Sequence, residues 1–408
     1  MENTYTSIDI GSDSIKVVVC QLFDNKLNLL AASSVKAEGV RFGELINKVQ
    51  LKNSIKTAID EVEEMLGINI DKVLLSVSSI DCEYTLVNSE IKLDNETAIN
   101  GDDIENVLSS GANKIQTRDY EIINTIPIDF EVDNEHNIID PKGKKGNILR
   151  SRSIIGLGKK AKLYPLLAIL EEMGITVVDI SLNSVGDICA LKNKQADSEV
   201  GIIINIGYEL TTVSLYNKSI PIKSKTIQIG SKNIDNDIAY VFKINTNEAL
   251  KIKEKFALAD KKFASKNDYF EVNNKLNEKI KISQYQVSEV VMSRIEEILG
   301  TAKKEINTLT NKNVDYIIIT GGTSSMDNFP VVTEKIFGSI ARVGNIKLLG
   351  VRNNKYSSAV GNIIFFINKL KLRNIDYTMI EEEQEYETEK SGIDSMLGKV
   401  FGYFFKED

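Results

Sequence analysis

The chain has 408 residues, more than one ordinary core holds, so two or more domains are expected. Its formal charge of −8 gives it no general attraction for a phosphate backbone, which argues against nucleic acid as a partner. A single histidine, His136, excludes paired-histidine zinc motifs, and three distant cysteines form no CxxC pair and suggest no disulfide framework, so a reducing compartment is the natural reading.

The start, MENTYTSIDIG, lacks the basic and then apolar run of a signal peptide, and no apolar stretch reaches 18 residues. Residues 5–10 and 15–22 read as strands joined by the tip Gly11-Ser12-Asp13-Ser14, and 24–35 as a third strand. Residues 51–66 carry a helical stripe through Ile55, Ala58, Ile59, Val62 and Leu66, and 72–79 read as a buried strand. Residues 82–165 change texture: three strands and a short helix with an acidic first turn, enough for a small α+β subdomain. His136 falls there in a polar hairpin or loop. An amphipathic helix (162–173) and a strand (ITVVDISL) follow.

The opening pattern then returns. Residues 199–206 read as a strand, Gly207-Tyr208-Glu209-Leu210 as a turn, and TTVSLYN and SIPIKSKTIQIG complete a second meander. Helices are predicted at 231–243, 247–258 and 287–308, and a strand at 315–320 runs into Gly321-Gly322. Such duplication implies two similar α/β lobes with a cleft between them. Residues 374–391 are acidic and lack an apolar stripe, which predicts a flexible linker reaching roughly 20–25 Å. Beyond it Ile393, Met396, Leu397, Val400, Phe401 and Phe404 fall at i, i+3, i+4, i+7, i+8 and i+11, one face of a helix flanked by Phe405. Such a face reads as a membrane-surface anchor or as a helix docking on its own domain or a partner; its only cations are Lys399 and Lys406, so membrane binding would rest on apolar burial and on several tails acting together.

Three motifs carry candidate chemistry. In the first, Asp9 ends a strand and could hold a magnesium ion through water, while Gly11, Ser12, Ser14 and Lys16 surround a tip whose N–H groups suit a phosphate. The second, from Asn205 through Gly207 to Thr211, holds the matching place in the second half. There Asn205 stands where an acid is expected, Tyr208 could fill the phosphate space, and Glu209 would repel phosphate. The third, Thr320-Gly321-Gly322-Thr323, lets backbone approach a base or sugar. Alone each reads equally well as an ordinary turn; the three in this order and spacing are far more specific.

These hairpins and the TGG turn resemble the phosphate and adenosine motifs of the actin-like ATPase superfamily, and within it the chain resembles the FtsA family of bacterial cell-division proteins over nearly its whole length. Asp140-Pro141-Lys142-Gly143-Lys144-Lys145-Gly146 resembles the family's DPxGMxG segment, and the stretch from Gly230 to Ala239 resembles GGxxxTNDIA. The resemblance implies an actin-like α/β fold with duplicated lobes: 1–81 with 166–195, and 196–373. It implies an FtsA-type insertion at 82–165, a linker at 374–390 and a membrane-targeting helix at 391–408. It implies ATP and Mg2+ in the cleft, with Gly230 and Lys253 added to the nucleotide residues. It also implies attachment of FtsZ filaments to the cytoplasmic membrane through the FtsZ C-terminal peptide, near Arg294 and Glu297. Self-polymerisation and recruitment of later division proteins complete the expectation. Asn205, Tyr208, Glu209, Leu210 and Thr212 depart from the DxGGGTTD pattern, and Leu250 replaces the glutamate of AExxK, so weak ATP binding and slow or no hydrolysis are expected. A PilM-like pilus adaptor is the alternative reading; 391–405 argues against it. The degenerate 205–212 loop argues against a sugar kinase, and the short remainder after the core against a chaperone ATPase.

Overall fold

The computed structural model describes residues 3–94 and 97–380. The predicted membrane-helix positions, from Ile393 to Phe405, lie outside the described residues. Strands β1 (Thr4–Ile10), β2 (Ser14–Phe23) and β3 (Lys26–Lys36) form an antiparallel meander. A small hairpin, β4 (Val40–Arg41) and β5 (Glu44–Leu45), leads into α1 (Lys48–Leu66) and β6 (Lys72–Val77). Helix α1 starts where the Asn47 side chain accepts the Gln50 N–H at 3.1 Å and stops at Gly67, whose φ of 66° ends the helix in the left-handed region. Its buried face, Leu51, Ser54, Ile55, Ala58, Ile59 and Val62, lies on the first sheet.

Next come β7 (Glu83–Lys92), α2 (Gly101–Ala112), β8 (Tyr120–Val132), β9 (Glu135–Ile138) and β10 (Ile148–Lys159), whose strands form one sheet in the order β7-β10-β8-β9. Among the described residues this subdomain has four strands rather than the expected three. The extra one, β9, carries His136, whose Nδ1 lies 2.9 Å from Glu131 Oε2 on the neighbouring strand. Residues 160–165 belong instead to α3 (Lys160–Glu172), which buries Leu163, Leu166 and Leu167 in the first core. Strand β11 (Thr176–Leu182) and helix α4 (Asn183–Leu191) close this half.

The second half runs β12 (Val200–Ile206), β13 (Thr211–Asn217), β14 (Ile220–Ile227), α5 (Ser231–Val241) and α6 (Thr246–Lys255). It continues with β15 (Tyr269–Asn273), β16 (Lys279–Ser283), α7 (Gln284–Leu309), β17 (Tyr316–Thr320), α8 (Phe329–Phe337), β18 (Ala341–Val343) and α9 (Ser357–Arg373). Among the described residues, two five-stranded sheets share one design: β3-β2-β1-β6-β11 and β14-β13-β12-β17-β18, each an antiparallel meander extended by two parallel strands. The duplication is therefore strand for strand. Asp9 pairs with Lys16 and Ser76, and Asn205 occupies the same register between Thr212 and Thr320.

Helices α4 and α9 cross between the two sheets at Gly186 and Gly361, where a Cβ on Gly361 would stand 1.7 Å from the Gly186 carbonyl oxygen. Neither helix is among those predicted; both are buried on most sides, and in α9 Ala359, Ile363, Phe366, Ile367 and Leu370 do fall at helical spacing. The predicted linker does not begin at 374. Residues 374–380 run back over the first sheet: the Met379 N–H donates to Thr4 C=O at 3.0 Å, its side chain is 1% exposed, and Tyr377 packs edge-on against Phe366. An acidic sequence reads as solvated, but here Met379, Tyr377 and Thr378 together seat the segment on the first sheet.

Candidate functional site

The two glycine-tipped hairpins and the TGG turn converge on one cleft of about 650 Å³, within the range of about 300–1,000 Å³ usual for ligand sites. Asp9, Gly11, Ser12, Ser14 and Lys16 line one wall, Asn205 and Gly207 another, and Lys253 with Gly321, Gly322 and Thr323 the third.

At the first tip the Gly11 N–H donates to Ser14 C=O at 3.2 Å, which folds the turn tightly. Asp9 is 4% exposed; its Oδ2 accepts Lys16 Nζ at 2.9 Å and its Oδ1 accepts Asn183 Nδ2 at 3.4 Å. The carboxylate thus serves first as the partner of Lys16, leaving little for a metal. Asn205, at the equivalent register position, brings an amide, and among the described residues no cluster of three or more His, Cys, Asp or Glu side chains could hold an ion.

Two predicted contacts fall behind the wall. The Thr211 hydroxyl donates to Ile229 C=O at 2.7 Å, and Gly230 lies under the second loop, where a Cβ would meet Tyr208 C=O at 2.4 Å. Both shape the loop without facing the cavity; Thr212 faces it instead. Gly321 has φ 92°, and a Cβ there would stand 2.3 Å from Ile206 C=O, so only glycine lets this turn pass the end of β12.

Glu209 is 5% exposed and lines the cleft, as the sequence placed it, but its charge is not left facing a ligand. Its Oε2 accepts the Phe42 N–H at 2.6 Å, and its Oε1 accepts Lys232 Nζ at 2.7 Å. Burial pushes the neighbouring Tyr208 hydroxyl up to about 12, helped by the nearby Asp235, Asp13 and Glu209 charges.

On the third wall Lys253 Nζ lies 2.7 Å from Asp235 Oδ1. Burial pushes the Asp235 carboxyl up to about 6 against the opposing pull of Lys253. The sequence reading missed Asn183 and Lys355, which lie outside the motifs. Lys355 Nζ donates to Ser34 Oγ at 2.9 Å, and Ser34 is the cross-strand partner of Lys16. Burial and the adjacent Lys16 charge hold the Lys355 ammonium below its ordinary range. Two cations therefore converge beside the first tip, as a phosphate site requires.

Arg294 and Glu297 lie far along the chain on α7. Arg294 Nη1 donates to Glu297 Oε2 at 2.6 Å, and the guanidinium also grips Asp237 on α5 through Nε at 2.6 Å and Nη2 at 2.9 Å. The expected partner contact is thus also a brace between two helices.

The family model described as "Cell division protein FtsA" matches residues 202–361, and the one described as "SHS2 domain inserted in FTSA" matches residues 81–155. The chain is 27% identical to cell division protein FtsA of Bacillus subtilis over 93% of its own length and 87% of the relative's. It is 25% identical to the Streptococcus pneumoniae protein of the same description, over 98% and 88%. Among solved structures it is similar to the PilM-PilN type IV pilus biogenesis complex, with TM-score 0.58, 13% identity, and 88% and 98% of the two chains covered. MreB5 of Spiroplasma citri bound to ADP gives TM-score 0.56 and 12% identity over 91% and 99%. At such identity these structures establish the fold alone.

Proposed function

Because the chain belongs to the FtsA family of actin-like cell-division proteins, we propose that it acts by tethering rather than by catalysis, holding FtsZ filaments on the cytoplasmic membrane. The observation that carries this reading is the pairing of a duplicated actin-like core with the FtsA-specific insertion at 81–155. The apolar periodicity from Ile393 to Phe404 supplies a membrane-binding face, and Arg294 with Glu297 offers a charged contact for the FtsZ C-terminal peptide. Copies of the chain assembled side by side would add many weak tails into one firm attachment and present a platform for later division proteins.

The cleft fits a nucleotide in part. Its volume, the glycine approaches at residues 11 and 321 and the Lys16–Lys355 pair suit a base, a sugar and the nearer phosphates. Asn205 and the occupied Glu209 do not suit a terminal phosphate with its Mg2+. Bound ATP or ADP would hold the lobes together; a metal beside it would meet Asp9 only through water, since Lys16 holds one carboxylate oxygen.

Co-sedimentation with liposomes tests the tether. The full chain is expected to pellet and carry FtsZ with it, and a chain ending at residue 380 to do neither. A full chain that stays in solution and leaves FtsZ behind would overturn the reading.

A further inference from the structure

With the cleft read as a nucleotide site, its second hairpin tip carries a buried acid. Glu209 has a side chain only 4% exposed and is held by three partners. Phe42 donates its N–H at 2.6 Å, Lys232 Nζ lies at 2.7 Å and Arg41 Nε at 3.5 Å. Arg41 and Phe42 form the β4–β5 turn of the first half, whereas Glu209 and Lys232 belong to the second. The carboxylate is therefore a bridge across the cleft. Phe42 has φ 50°, a conformation a bulky residue adopts rarely, and it presents its N–H from that position.

We propose that Glu209 is a built-in anion at the terminal-phosphate end of the cleft, which holds the lobes together without ligand and makes the site prefer a nucleoside diphosphate to a triphosphate. A carboxylate and a terminal phosphate seek the same partners, an N–H and a cation, and here Glu209 has both. A third phosphate arriving at this tip meets a like charge in a half-enclosed site and must also displace it from Phe42 and Lys232. A diphosphate leaves the bridge intact. The Lys16 and Lys355 ammoniums stand at the first tip, where a diphosphate would share Lys16 with Asp9. Discrimination thus comes from a repulsive element as well as an attractive one.

Calorimetric titration of the full chain with ADP and with ATP, Mg2+ present in both, tests this. The natural chain is expected to bind ADP about tenfold or more tighter than ATP. Glu209→Gln keeps the shape and removes the charge; it should bring ATP to within about threefold of ADP. Lys232→Met leaves the carboxylate without its cation and should widen the ADP preference. The unliganded melting temperature should fall in Glu209→Gly, which loses the bridge. ATP binding that appears only in Glu209→Gln supports the proposal. Equal affinities in the natural chain, or a ratio that Glu209→Gln does not move, overturn it while leaving the nucleotide reading intact. No binding of either nucleotide to any of the chains overturns both.

Discussion

The side-chain amide of Asn205 donates to Asp187 Oδ2 at 2.7 Å, and Oδ1 of that carboxylate accepts Ser357 Oγ at 2.6 Å and Ser358 Oγ at 2.9 Å. One buried acid on α4 thus ties the end of β12 to the start of α9. The charge missing from Asn205 is found one side chain deeper, away from the cleft.

Burial pushes the Asp187 carboxyl from 3.8 up to about 6, against the opposing hydrogen bonds from Ser357, Asn205 and Ser358. Between those values the folded chain holds more protons than the unfolded one, so this group's contribution to stability falls as pH rises from about 4 to 6. Asp187→Asn should flatten that fall. Urea unfolding at pH 4, 5, 6 and 7 should show the natural chain losing roughly 1–3 kcal/mol relative to the variant over this window. Parallel curves would remove Asp187 as the cause.

Arg294 and Glu297 should separate under mutation. Removing Arg294 breaks the two-pronged grip on Asp237, in which the guanidinium is 23% exposed, and should cost about 1–2 kcal/mol by chemical denaturation. Glu297 is 55% exposed, and Glu297→Ala should cost less than about 0.5 kcal/mol. Binding of the FtsZ C-terminal peptide that drops in Glu297→Ala at unchanged stability would mark a direct contact. Unchanged binding would leave the pair as a helix brace.

The crossing of α4 and α9 leaves no room for a methyl group. Gly361→Ala sets a Cβ 1.7 Å from the Gly186 carbonyl oxygen, backbone against backbone, so the helices must part. A loss of about 3 kcal/mol or more is expected, at the upper end for overpacking, read as a lower urea midpoint. Gly300, on α7, has open space where its Cβ would point, and Gly300→Ala should be neutral or slightly stabilising.

Met379 should behave as a core residue. Its side chain is 1% exposed and its Sδ accepts the Thr6 N–H at 3.3 Å, so Met379→Ala should cost about 2–4 kcal/mol. A chain ending at residue 373 should melt well below one ending at 380. Equal melting temperatures would return 374–380 to the status of a tether.

The parts of this fold that were legible are those whose signal is local. The hairpins around Gly11 and Gly207 announce themselves within a dozen residues, and α1 and α7 show apolar stripes because each buries one face. Helix α4 is buried nearly all round and shows no clean stripe, whereas α9 carries one through Ile363, Phe366, Ile367 and Leu370 that the reading passed over. In the cleft, glycines and the residues beside them were found by motif. Thr211 and Gly230 show the limit of that method: they belong to the motif but support the loop from behind. Glu209 was legible as an anomaly and its meaning was not, since its partner Phe42 lies 167 residues away. Lys355 and Asn183 are single side chains that only the folded chain brings to the site.

The seating of residues 374–380 also sets a mechanical route. Met379 is hydrogen-bonded through its N–H to Thr4, and the Thr4 N–H in turn reaches Thr378 Oγ1 at 3.3 Å. Tension applied at residue 381 enters the molecule at Thr4, the first residue of β1, and runs along that strand into the centre of the first sheet. The second half is joined to this sheet by a shared core, in which Tyr5, Val18 and Leu74 pack with Ile203, Tyr216 and Tyr316, as well as by the helix crossing and the Glu209 bridge. A pull from the tail therefore loads β1 first, and that strand carries Asp9 into the wall of the cleft.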